Sequence, residues 1–425
     1  MIHLRLLAIV VSLFLLPARC LAADESYGYP IEGAYEATII GTPPKLIPVY
    51  PEKIRTRQLS LEVIPGRKWP PNFFYQDGLR CTFAWQKRKA PLVFLIAGTG
   101  SSDRADKLII MMKAFYHAGF HVITLPSPTN ANFIVSASHT CVPGDLTEDS
   151  DDLYQAMTSA WNAVRGKIEV SSFNLCGYSL GGDEAAFVAK LDEQRKLFNF
   201  RRVMMINPSV SIYTTIGQIE DLLKKIPGGP EKEGAFFNRM LIKFSEFYRL
   251  GNFVAFNDEF LYAMYRSRVF THEEAGGLIG LTFRMNLAGM IFASDIMTNS
   301  GYVVPKNRVL LPSDPIYDYF LVCMHLSFFD YFNEYFFPFY EKRRPGLTKK
   351  QLIEEQSLKS IEGYLKSRPE KFGAMVNEND LILTPADLAY LRQLFGARAK
   401  FYPRGGHLGN LEYKDNLEYM VAFFK

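Results

Sequence analysis

Two patterns of hydrophobic spacing alternate through the first half of the chain. The continuous apolar run at 91–96 has the character of a strand buried on both faces, and 120–125, 173–176 and 201–206 read as further strands rich in apolar residues. Between them, 105–117, 149–165 and 182–190 read as helices, the first with Leu108, Met111, Met112 and Phe115 along one side. Strand and helix in this order imply a parallel sheet with right-handed crossovers. Ahead of it, 59–64 turns Leu59, Leu61 and Val63 to one face, and 79–85 supplies a second strand, which together suggest an antiparallel hairpin at the sheet's opening. Residues 24–58 are rich in Pro, Tyr and Gly without sustained periodicity and read as an extended arm over the surface.

After Asn207 and Pro208 the alternation stops, and the interval 209–370 is far too long for an ordinary connection. Segments 216–226, 236–250, 258–268, 272–297 and 317–337 within it favour helix, which predicts an inserted helical cap. Strand and helix then resume at 371–376, 386–395, 399–402 and 413–424. The expected architecture is an α/β core in two parts, 59–208 and 371–425, carrying a large helical insertion.

Composition changes this picture little. The 425 residues are 48% hydrophobic and 22% charged, ample for a core. A net charge of +4 with no long basic block argues against nucleic acid as a partner. The N-terminus adds more: Arg5 precedes the apolar run 6–16, Pro17 breaks it, and Ala22 and Ala23 offer small residues for cleavage. That is the pattern of a signal peptide over 1–23, hence of a periplasmic or secreted protein, with a retained N-terminal anchor as the alternative. Cys81, Cys141, Cys176 and Cys323 then remain, and spacing does not choose among their three pairings.

The most informative stretch is Gly177-Tyr178-Ser179-Leu180-Gly181, between an apolar strand and an Ala-rich helix. A serine on such a turn projects its hydroxyl above the sheet, where the new helix aims its positive end. A serine hydroxyl needs a base, and the base an acid to orient it. Both follow in chain order at strand ends: Asp380 in the turn after 371–376, and His407 in the loop after 399–402. Glu378, in the same turn as Asp380, is the fallback acid.

By this elbow and by the order Ser, Asp, His, the chain resembles the α/β-hydrolases over 59–208 and 371–425. The resemblance implies Ser179 as nucleophile, His407 as base and Asp380 as its orienting acid. It further implies an oxyanion hole built from the backbone N–H of Leu180 and of Thr99, in the loop Ala97-Gly98-Thr99-Gly100 where the family often carries His-Gly. No metal or organic cofactor is implied.

Two other groupings are weaker. His139 and Cys141 lie close in sequence without an elbow, and Asp145, Glu148, Asp149, Asp151 and Asp152 cluster as calcium ligands can. The acidic run precedes a helix, where carboxylates cap free N–H groups, and it lacks the calcium-loop glycine. The segment 316–340, crowded with Phe and Tyr, reads as a buried helix, as the roof of an apolar acyl or aryl site, or as a face that meets lipid. The sequence thus points to a serine hydrolase of carboxylic esters of the esterase or lipase kind. A peptidase or amidase on the same scaffold, and a non-catalytic binder of a hydrophobic ligand, are the alternatives.

Overall fold

A computed structural model describes residues 27–51, 53–229, 232–250 and 258–425. The expected signal peptide lies outside the described residues. Among the described residues eight strands form one sheet: β1 (Thr56–Leu61), β2 (Leu79–Ala84), β3 (Ala90–Ile96), β4 (His121–Leu125), β5 (Val170–Tyr178), β6 (Arg202–Ile206), β7 (Phe372–Asn377) and β8 (Ala399–Tyr402). Their order is β1-β2-β4-β3-β5-β6-β7-β8. β2 runs antiparallel to both β1 and β4. The six strands from β4 to β8 pair in parallel.

The apolar run in β3 reflects its central place, because alternate residues enter two different cores. Phe94 and Ile96 join Leu153, Met157 and Val188 on one face, under α4 (Leu146–Val164) and α5 (Leu180–Arg195). Val93 and Leu95 join Met111, Phe115 and Met420 on the other. That face is covered by α2 (Asp106–His117) and the closing α16 (Lys414–Phe424).

The arm departs from expectation. Residues 34–40 form a helix, α1 (Ala34–Ile40), and Tyr29, Ile31, Ala37 and Ile40 are buried. Its short apolar stripe was too brief to show as a period. The loop 126–146 also contains a short helix, α3 (Ala131–Ser136), capped by the Asn130 side chain.

Between β6 and β7 the described part of the chain is mostly helical, with a non-helical stretch at 299–316. It forms α6 (Ile212–Lys224), α7 (Glu233–Leu250), α8 (Asp258–Arg266), α9 (His272–Thr298) and α10 (Tyr317–His325). It continues through α11 (Phe328–Asp330), a π-helical turn at Tyr331–Phe336, α12 (Phe337–Arg343), α13 (Lys349–Glu355) and α14 (Glu362–Ser367). The last helix before the closing one is α15 (Pro385–Phe395), between β7 and β8.

α9 is long and apolar enough to cross a membrane, yet 61% of its most apolar window is buried inside the protein. It packs against α1, α3, α6 and α10 and is the spine of the insertion. A Cβ on Gly277 would press into Phe236 and Ile226, so glycine there permits the close approach of α9 to its neighbours.

The aromatic segment is not one helix. Leu326 has extended backbone, and Ser327 and Asp330 form a reciprocal capping box that starts a new helix, so the expected 317–337 helix breaks there. Phe328, Tyr331, Phe332, Phe336 and Tyr340 join Val142 and Ile291 in a third core between the insertion and the loop 126–146.

Candidate active site

The elbow forms at the end of β5, the nine-residue strand beside β3 at the centre of the sheet. Ser179 sits at φ 54° and ψ −130°, outside the regions that ordinary residues occupy. Its N–H donates to the Ile206 carbonyl at 2.8 Å, and its own carbonyl accepts from Gly182 N at 2.8 Å. A Cβ on Gly177 would strike the Gly181 carbonyl. Glycine at that position is what lets the chain fold so tightly.

Asp380 and His407 arrive from the ends of β7 and β8. The Ser179 hydroxyl donates to His407 Nε2 at 2.8 Å. His407 Nδ1–H donates to Asp380, with both carboxylate oxygens 3.1 Å away. A carboxylate only accepts, so Asp380 fixes the proton on Nδ1 and leaves Nε2 free to accept. The Asp380 side chain is fully buried, and its remaining lone pairs take Asn207 Nδ2 at 2.7 Å and Ile382 N at 3.1 Å.

Asn207 has φ +47°, a conformation asparagine tolerates better than most residues. Its role was not read from sequence. The signal lay in an Asn-Pro pair directly after a strand, which marks a turn at the same sheet edge.

The arm holds the histidine loop. Arg404 donates to the Tyr29 and Tyr27 carbonyls, each at 2.6 Å. Asn379 Nδ2 donates to the Glu32 carbonyl at 3.0 Å, and its Oδ1 accepts from Gly406 N at 2.9 Å. His407 N donates to Thr38 Oγ1 at 2.8 Å. Nothing in the sequence of the arm pointed to these links.

Glu378 is not brought to His407. Its carboxylate is partly exposed and takes Arg392 at 2.6 Å instead. Thr99 and Leu180 both face the same cavity as Ser179. Gly100 N donates to Thr129 Oγ1 and Asn130 Nδ2 donates to the Gly100 carbonyl, both at 2.8 Å, which fixes the loop after β3. The backbone N–H groups of Thr99 and Leu180 meet no protein acceptor among the described residues.

The sheet order, the single antiparallel second strand and the serine elbow on the central strand decide the fold. This is the α/β-hydrolase fold. No family model matches the sequence, and no curated protein matches it either. Solved structures align over most of the chain at low identity. The DcsB complex with its substrate analogue is 15% identical with TM-score 0.42, covering 87% of this chain and 98% of that one. One of two fungal esterases from Rhizomucor miehei is 11% identical with TM-score 0.41, covering 87% and 83%. The thioesterase domain from the curacin biosynthetic pathway is 13% identical with TM-score 0.37, covering 87% and 100%. All three lie below a TM-score of 0.5 and carry nothing about the reaction.

In this α/β-hydrolase fold the serine opens onto a cavity between sheet and insertion. The cavity has a volume of about 90 Å³, so it is narrow. Leu287, Met290, Phe328, Tyr331, Phe332 and Phe336 form much of its wall. The π turn places Tyr331, Phe332 and Phe336 there, an irregularity often found at functional sites. Asp183, one turn beyond the serine on α5, also faces the cavity, and burial raises its carboxyl to about 8.

The weaker groupings resolve as structure. Asp145 accepts from Thr147 N and Glu148 N at the start of α4, a helix cap. His139 Nδ1 bonds Asp152 at 2.5 Å, and Cys141 Sγ accepts from Arg67 at 3.3 Å. All four described cysteines are free and buried.

Proposed function

We propose that this protein is a serine hydrolase of carboxylic esters with an apolar acyl or aryl group. The observation that carries the reading is the unbroken hydrogen-bonded line from Ser179 through His407 to Asp380. In this mechanism Ser179 Oγ attacks the ester carbonyl carbon as its proton passes to His407 Nε2. Asp380 stabilises the imidazolium that forms without taking the proton itself. The carbonyl oxygen becomes an oxyanion, held by the N–H groups of Thr99 and Leu180 and by the positive end of α5. Each such donor is worth about 3 kcal/mol in the transition state. His407 returns the proton to the departing alkoxide, leaving an acyl group on Ser179. It then deprotonates a water that attacks the acyl carbon, and the carboxylic acid departs as Ser179 regains its proton.

The narrow cavity with its Leu, Met, Phe and Tyr wall supports an apolar group on the acyl or aryl side. A p-nitrophenyl ester series of rising acyl length tests this. Turnover that rises with chain length and disappears in Ser179→Ala is the expected result, and equal rates along the series would count against the apolar wall. We extend the proposal to an exported protein, on the apolar run and small residues of its N-terminus. Peripheral contact with lipid is part of the same reading, supported by exposed Ile316, Tyr317, Leu321 and Val322 on and beside α10.

A further inference from the structure

The cavity has one feature that an apolar acyl site does not need. Asp183 is 1% exposed, faces the cavity and lies four residues after Ser179. Its Oδ2 accepts two donors from the same residue, Ser209 Oγ at 2.7 Å and Ser209 N at 3.2 Å. Its Oδ1 is buried with no partner among the described residues. A buried carboxyl oxygen left unpaired costs free energy unless something else meets it.

The two oxygens are not equivalent. Ser209 occupies the accepting positions of Oδ2, so when the carboxyl is protonated its hydrogen belongs on Oδ1. Burial favours that neutral form, with the raised pKa of about 8, and nearby Glu184, itself fully buried, adds no positive charge to oppose it. Oδ1–H is then a hydrogen-bond donor on a residue that lines the cavity, and no acceptor meets it among the described residues.

We propose that Asp183 is a specificity residue that donates from Oδ1 to an acceptor oxygen, a keto, ether or hydroxyl oxygen, carried along the acyl chain of the substrate. The natural acyl group is therefore an oxygenated one rather than a plain hydrocarbon. This rests on the ester hydrolase reading for Ser179.

The test walks one keto oxygen along the acyl chain of p-nitrophenyl esters and compares each with the all-methylene ester of equal length. In the wild-type enzyme, one position is expected to gain about tenfold in kcat/KM over its methylene counterpart. Asp183→Asn presents an amide N–H where Oδ1–H stood and keeps an acceptor for Ser209, so it retains that preference. Asp183→Leu fills the space without a donor and loses it. A ratio near one at every position in the wild type overturns the inference, as does a preference that survives in Asp183→Leu. Should the leucine variant fail to fold, the wild-type series decides by itself. Binding of the corresponding free keto acids and plain fatty acids to Ser179→Ala, followed by calorimetry, separates the two claims. A binding preference with no turnover of any ester by the wild type would sink the hydrolase reading alone; turnover without a preference would sink the role of Asp183 alone.

Discussion

Thr38 Oγ1 accepts the backbone N–H of His407 at 2.8 Å, across 369 residues of sequence. The same hydroxyl donates to the Ala34 carbonyl at 2.7 Å, so both its hydrogen and its acceptor position are in use. The helix of the N-terminal arm is thereby tied to the loop that presents the base. Gly406 and Gly409 lie so close to α1 that a Cβ on either would run into its carbonyls.

This tie predicts a positioning effect. Thr38→Val removes the acceptor while keeping the side chain's shape, and His407 loses the contact that sets its backbone. We expect kcat on a short ester to fall roughly tenfold to a hundredfold, since small misplacements of a catalytic group are costly. KM should change little, and Thr38→Ser should restore most of the rate. Equal kcat in the valine variant and wild type would remove the arm from the account.

The choice of acid is decided by two neutralising substitutions. Asp380→Asn keeps the shape but leaves Nδ1–H without its carboxylate, and kcat should drop by about four orders of magnitude. Glu378→Gln breaks only a partly exposed ion pair with Arg392 and should change kcat by less than twofold. Steady-state kinetics on one ester measures both, and a reversed ranking would make Glu378 the orienting acid.

Asp183 makes a separate prediction about stability. Burial raises its carboxyl to about 8, whereas in the unfolded chain it ionises at about 4. Between these values the folded state holds a proton that the unfolded state releases, so this group lowers stability as pH rises through that window. Asp183→Asn abolishes the effect. The Tm advantage of the variant over wild type should therefore grow from pH 4 to pH 8 and level off above it. Asp149 and Glu184 are raised in the same direction by burial and are present in both proteins, so they largely cancel in the difference. A Tm difference that stays constant across pH would show that Asp183 is not held neutral.

The sheet and the three residues now in line were legible in the sequence for a physical reason. β3 is buried on both faces and reads as an unbroken apolar run, β5 is buried over its last five residues, and the elbow needs glycine at Gly177 and Gly181 wherever it occurs. Asp380 and His407 follow short strands whose ends the turn residues mark. What escaped was held by single long-range contacts. α1 is too short to show a period, and its reason for existing lies in Thr38, Tyr27 and Tyr29 meeting a loop near the other end of the chain. The break in the aromatic segment depends on a capping box at Ser327 and Asp330 that a run of Phe and Tyr conceals. Asp183 and Glu184 looked like ordinary polar positions in the first turn of a helix, and only the packing of α5 against α4 and the strands β5 and β6 shows that both are buried.

The central claim is that Ser179 is a nucleophile activated by His407. Treatment with a fluorophosphonate at neutral pH, followed by peptide mass spectrometry, tests it most directly. The account predicts one covalent adduct, on Ser179, formed rapidly by the wild type, far more slowly by His407→Ala, and not at all by Ser179→Ala. Labelling of the wild type no faster than of Ser179→Ala, or an adduct on another serine, would contradict it.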